Sequence, residues 1–323
     1  LALLAAAALV LLRRFNLPGH RPRPRATPPD GPPCVNLHRL LLARAAEGRP
    51  IRIAQIGAGK FGSMFLHQAR RTAGMHVAGI ADLSIPRARA ALARIHWPEG
   101  SYDCASLDDA IASGGTHLTE DAMALIADPR IDAVVECTGH PEAGLRHARA
   151  AIAHGKHVIM VNVEADVLAG PLLAREAARA GVVYSMAYGD QPALVCELVD
   201  TLRAGGFTVI AAGKGTKYLP QFHASTPATV WGFYGLSEEQ ARAGGMNPQM
   251  FNSFLDGTKS GIEMAAIANA TGLAPPEEGL AFPPAGTSDL PVVLRPHEEG
   301  GILARKGMVE VVSSLRRDGT EIP

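Results

Sequence analysis

The sequence predicts an α/β protein: a doubly wound parallel sheet followed by a second, smaller α+β domain. Three observations predict it. The β-branched apolar run Ile51–Ile56 opens into glycines at G-x-G-x-x-G spacing, Gly57, Gly59 and Gly62, and then into a helical pattern. From there to about residue 186, short apolar strands alternate with helices, which is the pattern of βαβ units. Beyond that point the polar residues gather in three stretches, 188–191, 213–218 and 256–263.

Residues 1–34 read as a leader foreign to the fold. Leu1–Leu12 is apolar, Arg13 and Arg14 follow, and seven prolines lie between Pro18 and Pro33. A bilayer span needs about 20 apolar residues, and this run is shorter. A signal peptide carries its positive charge before the apolar core, not after it. Val35 is therefore the expected start of translation, with a secretory or anchoring leader as the alternative. Leu37–Glu47 follows as an amphipathic helix, with Leu37, Leu40, Leu41 and Ala45 on one side.

The glycine stretch is the candidate dinucleotide site. Gly57 permits the tight turn, Gly59 lets the backbone approach a pyrophosphate, and Gly62 lets the helix (expected over 63–71) pack close to the strand. The loop residues Ala58, Lys60 and Phe61 line the same approach, and N–H groups at the helix start face the anion. No Gly-Lys-Ser/Thr closes the motif, so a P-loop is excluded. Met75–Ala81 is the second strand. Asp82, 20 residues after Gly62, is placed for the ribose hydroxyls and favours NAD. Arg87 and Arg89 are placed for a 2′-phosphate and favour NADP. Asp82 reads alternatively as a helix cap.

A helix is expected over 119–127, a strand over 131–137, a helix over 142–154 and a strand over 157–161. Another helix over 166–180 and a strand over 182–186 complete the alternation. Cys137, Thr138 and Gly139 leave the carboxyl end of one strand, and Asn162, Val163 and Glu164 leave that of another. In open α/β sheets ligands sit at those ends, which puts Cys137, Thr138, Gly139 and Asn162 beside a cofactor. His140 in the same turn is a candidate proton donor or a solvated side chain.

In the second half, a helix runs from Pro192 to about Arg203, a strand covers 207–212, and a turn covers 213–218. Asp190 or Gln191 caps the helix or serves the site. Six of the 31 basic residues are lysines, and Lys214, Lys217 and Lys259 all fall in the polar stretches. Lys214, Lys217 and Tyr218 suit gripping an anion or polarising a carbonyl. Lys259 and Glu263 share a helix face at i, i+4, after a break at Asp256-Gly257-Thr258 in a helical segment spanning 247–273.

Acidic and basic residues balance at 31 each, so nothing points to a nucleic-acid surface. The four cysteines are scattered, with no C-x-x-C and no zinc spacing, which fits a reducing cytoplasm.

The segment 35–74 resembles the homoserine-dehydrogenase-like NAD(P)-dependent oxidoreductases that carry a C-terminal SAF-type domain. Gly-Asp-Gln-Pro-Ala (189–193), Gly-Lys-Gly-Thr-Lys-Tyr (213–218) and Asp-Gly-Thr-Lys-Ser-Gly-Ile-Glu-Met (256–264) carry the resemblance to the DXR-like group, alternative 1-deoxy-D-xylulose 5-phosphate reductoisomerases. One departure matters: Val163 stands where homoserine dehydrogenases carry a lysine after Asn162. The expected layout is a leader (1–34), an NAD(P)-binding Rossmann domain (35–190), a substrate domain (191–275) and the start of an incomplete SAF-type region (276–323).

The resemblance implies an oxidoreductase using NADP(H) or NAD(H), with a divalent metal, Mg or Mn, if a ketol rearrangement precedes reduction. Lys214 and Lys217 would bind or polarise the substrate oxygen. Asp190, Glu263 and Glu164 would move protons or hold a metal, and Lys259 joins Glu263. Homoserine-type alcohol oxidation and a non-catalytic NAD(P)-binding regulator are the alternatives. A small-molecule substrate, a cytoplasmic location and, by analogy, a homo-oligomer are expected, with neither nucleic acid nor membrane as partner.

Overall fold

The computed structural model describes residues 36–320. The leader and the expected start at Val35 lie outside the described residues. The chain divides between Asp190 and Gln191 into two units.

The first unit opens with α1 (Leu37–Ala46), where Asn36 caps the helix by accepting the His38 and Arg39 N–H groups. Then follow β1 (Ile51–Ile56), α2 (Lys60–Ala69), β2 (Met75–Ala81), α3 (Ile85–Arg94), α4 (Leu107–Ser113) and β3 (His117–Thr119). The unit continues with α5 (Ala122–Ala127), β4 (Ala133–Glu136), α6 (Pro141–Ala153), β5 (His157–Met160), α7 (Val163–Ala180) and β6 (Tyr184–Met186). All six strands are parallel, in the order β3-β2-β1-β4-β5-β6. The chain reverses direction across the sheet between β1 and β4, and that switch point is where doubly wound sheets bind dinucleotides.

The central strands feed two cores. In β1, Ile51 and Ile53 join Phe65, Leu66 and Leu92 on one face, while Ala54 and Ile56 join Val134, Val158 and Leu173 on the other. Burial on both faces explains the near-continuous apolar strands.

Several elements differ from the sequence expectation. The helix expected over 119–127 is strand β3 followed by a shorter helix, because Asp121 caps at Ala124 N–H. A three-residue edge strand with one buried side chain, Leu118, leaves no readable alternation. Helix α2 starts directly after Gly59, not at Ser63, and α7 starts at Val163, because Asn162 caps it by accepting the Ala165 N–H.

The second unit contains α8 (Gln191–Ala204), β7 (Ala211–Thr216), α9 (Val230–Tyr234), α10 (Glu238–Ala243), α11 (Pro248–Leu255), α12 (Thr258–Thr271), α13 (Leu290–Val293) and β8 (Met308–Ser313). The strand expected over 207–212 lies four residues later, so the Gly213–Thr216 stretch is ladder and not turn. Its partner is β8, far along the chain, paired in parallel from Ala211↔Met308 to Thr216↔Ser313. Residues from 276 onward thus contribute a strand to this unit. Helices α8 and α12 pack on the strand pair through Val199, Met264, Ile267, Val309 and Val311. A second core gathers Phe222, Val230, Trp231, Ala241 and Leu255 around the short helices. The expected break in the 247–273 helix is present: Gly257 takes φ +88° between α11 and α12, and Asp256 accepts the Thr258 N–H.

Candidate active site

In the first unit, the loop after β1 meets the turn after β4. Gly57 has φ +92°, and a Cβ there would stand 2.9 Å from the Cys137 carbonyl oxygen, so only glycine fits. A Cβ on Gly62 would stand 2.6 Å from both Gln55 Nε2 and the Gly57 oxygen. A Cβ on Gly59 would meet nothing within 4 Å. A tight turn, a close helix and an open middle glycine at the start of α2 are the cradle a pyrophosphate needs, and the residues present fit a dinucleotide. Lys60 and Phe61 are exposed on the first turn of α2, and Ala58 is buried.

The acidic residue ending β2 is occupied. Asp82 Oδ2 accepts the Ala58 N–H at 2.9 Å. Its Oδ1 accepts the Ser84 N–H at 3.1 Å and both Arg87 Nε and Nη2 at 3.2 and 2.7 Å. The Asp82 side chain is 5% exposed and the Arg87 side chain 63%. Ser84, and not Asp82, caps α3. Arg89 turns away, pairing with Asp103 and lying over the Tyr102 ring at 5.8 Å.

Cys137, Thr138 and Gly139 do leave the carboxyl end of β4. Burial, with the Glu136 carboxylate beside it, pushes the Cys137 thiol well up, which makes it a poor nucleophile. Glu136 is buried against His147 Nδ1 at 3.1 Å. His140 Nδ1 accepts the Ala143 N–H and caps α6. Asn162 is 2% exposed, and besides capping α7 its Nδ2 donates to the His140 carbonyl at 2.9 Å. Asn162 thus fixes the 138–140 turn from behind. Val163 is buried, and Glu164 is half-buried in the first turn of α7.

In the second unit, β7 and α12 bring three predicted residues together. Lys214 Nζ donates to Glu263 Oε2, and Lys259 Nζ lies 3.9 Å from Glu263 Oε1. The Glu263 side chain is 8% exposed. Two ammonium groups on one carboxylate leave the cluster with an excess positive charge. Lys217, beyond the end of β7, is exposed, and Asp190 is the last residue of the first unit. Tyr218 stacks on Phe282 with centroids 4.2 Å apart, over Gly257 at the head of α12. Burial and the nearby Asp256 carboxylate raise its phenol. Among the described residues, no three His, Cys, Asp or Glu side chains gather as a metal site, so no step is assigned to a metal. No described helix is long and apolar enough to cross a membrane.

Gln55 escaped the sequence reading. It is fully buried in β1, and its Nε2 donates to the Gly57 carbonyl at 2.8 Å. The signal was a lone amide inside an apolar strand, directly before the glycines.

Comparison with known families agrees with this division. Residues 57–185 match the homoserine dehydrogenase NAD-binding domain, and residues 189–320 match the catalytic domain described as "Oxidoreductase DRL". The chain thus matches an oxidoreductase NAD-binding domain and an oxidoreductase catalytic domain. No curated protein matches it. Among solved structures, the homoserine dehydrogenase of Thiobacillus denitrificans is 25% identical, with TM-score 0.37, over 48% of this chain and 34% of that one. A biliverdin reductase of Synechocystis sp. PCC 6803, solved with biliverdin and NADP+, is 17% identical, with TM-score 0.33, over 53% and 48%. A DOX-P reductoisomerase solved with magnesium is 16% identical, with TM-score 0.45, over 70% and 58%. The chain thus spans less than two thirds of the length of each.

Proposed function

We propose that this protein transfers a hydride between NADP(H) and a small, phosphorylated substrate bearing a hydroxyl or carbonyl group, as a DXR-like reductoisomerase of isoprenoid precursor synthesis. The observation that carries the reading is Lys214 and Lys259 converging on buried Glu263 within the stretch that matches an oxidoreductase catalytic domain. The excess positive charge suits an anionic substrate and a carbonyl oxygen that becomes negative during reduction. A bound nicotinamide supplies or accepts the hydride. Lys214 or Lys259 donates a hydrogen bond or proton to the substrate oxygen, and Glu263 orients both ammonium groups. Lys217 and Tyr218 are assigned to substrate binding.

Gly57, Gly59 and Gly62 with the first turn of α2 would hold the pyrophosphate, beside Cys137, Thr138 and Gly139. The preference for NADP(H) is supported by Asp82 having both oxygens engaged while the Arg87 side chain stays mostly exposed. A second reading, oxidation of homoserine or a related alcohol, is favoured by the family of residues 57–185.

The test is oxidation of NADPH and NADH with 1-deoxy-D-xylulose 5-phosphate, with and without Mg2+ or Mn2+. Metal-dependent NADPH loss supports the reductoisomerase. Metal-independent turnover of homoserine with NAD(P)+ selects the second reading. Cofactor binding without turnover of any small alcohol or carbonyl selects a regulator.

A further inference from the structure

The first peptide of the glycine loop is held at both ends by side chains. Its carbonyl, on Gly57, accepts from Gln55 Nε2 at 2.8 Å. Its N–H, on Ala58, donates to Asp82 Oδ2 at 2.9 Å. A carbonyl oxygen can only accept, so the orientation of the Gln55 amide is set by its partner. Both holding side chains are buried, Gln55 completely and Asp82 at 5% exposure. A glutamine kept only for packing would be replaced at less cost by an apolar residue, since burying an amide is unfavourable unless it is paired. Here one end is spent on the loop, and Gln55 Oε1 accepts nothing in the structure. The Gln55 amide also fills the space that excludes a Cβ at Gly62.

We propose that Gln55 is a positioning residue of the dinucleotide site. With Asp82 it fixes the Gly57–Ala58 peptide, and so points the N–H groups that open α2 at the pyrophosphate. This assigns Asp82 to the loop and not to the ribose hydroxyls. The inference rests on the dinucleotide reading of the first unit.

The experiment compares two ligands on the full chain: NADPH, and adenosine 2′-monophosphate, which keeps the 2′-phosphate and lacks the whole pyrophosphate. In Gln55→Met, which removes the donor at similar volume, the NADPH Kd is expected to rise about tenfold, the scale of one lost hydrogen bond with its neighbour misaligned. The monophosphate Kd is expected to stay within about twofold, because it has no phosphate at the glycine loop. Gly62→Ala disturbs the same amide from the helix side and should show the same selective loss. The double variant should be no worse than about the weaker single one, because both break one arrangement. Equal weakening of both ligands, full additivity, or unchanged NADPH affinity in a folded Gln55→Met would each overturn the proposal. Failure of the unaltered protein to bind NADPH at all would instead overturn the dinucleotide reading itself.

Discussion

Replacing Glu263 by glutamine keeps its shape and removes the charge that two lysines share. At about 4 Å and an effective dielectric near 20, each ammonium–carboxylate attraction is about 4 kcal/mol before desolvation. The Glu263 side chain is 8% exposed, so its own desolvation cost is refunded only in part by neutralisation. Lys214 and Lys259 are 21% and 25% exposed and can swing partly into water, which offsets much of the loss. Breaking a fully buried pair costs about 3–5 kcal/mol; with this relaxation, about 2 kcal/mol is expected. The assay is urea unfolding at pH 7, with the transition of the second unit followed by its tryptophan, Trp231. A cycle with Lys214→Met should give a coupling energy above about 1 kcal/mol. The same variant should lower kcat more than it raises KM, because both ammonium groups remain but are no longer oriented. An unchanged midpoint with strictly additive energies, or unchanged kcat, would refute the claim that Glu263 organises the pair.

Three further expectations follow from the first unit. Arg87→Leu should weaken NADPH by about 30-fold, the scale of a charge-assisted bidentate contact, and leave NADH within about threefold; equal loss of both cofactors in fluorescence titration would remove Arg87 from the 2′-phosphate role. Gly57→Ala should abolish cofactor binding and cost about 2 kcal/mol or more in thermal unfolding, since the residue is held at φ +92° and its methyl would press on the Cys137 carbonyl; retained affinity would place the pyrophosphate elsewhere. Burial raises the Asp166 carboxyl, against the lowering effect of the Tyr184 hydroxyl that donates to it at 2.7 Å. The folded state therefore holds this proton to higher pH than the unfolded state does. Ionisation costs stability as pH rises from the unfolded carboxylate range, near 4, through the raised folded value. Asp166→Asn should thus raise Tm at pH 7–8, with the gain shrinking toward pH 4; a gain that is independent of pH would refute the assignment.

Much of the first unit was legible in the chain itself. Ile51–Ile56 and the glycine spacing fixed a strand, a turn and a helix because each step depends on neighbours in sequence. The break at Asp256-Gly257 was legible for the same reason: one residue in the left-handed region next to a capping aspartate ends a helix locally. The pairing of Lys259 with Glu263 also follows from helical spacing. Three features were not legible. Strand β3 is three residues long and exists because the β2 edge offers it a ladder. Strand β7 sits where β8, some hundred residues on, can pair with it, and no local signal carries that information. Asp82 was readable as a ribose ligand or a cap, but it is neither cap nor free, because Ala58 and Arg87 reach it from two other segments.

The sequence by itself determined the dinucleotide loop, the alternation of the sheet and the residue types of the second cluster, since these rest on local conformation and period. Tertiary structure decided which residues of separate elements meet. It brought Lys214 to Glu263 from separate elements, and it brought the Asp82 carboxylate at the end of β2 to the Ala58 N–H. Such contacts are set by how strands and helices pack, and a buried carboxylate or amide takes whichever partner packing delivers.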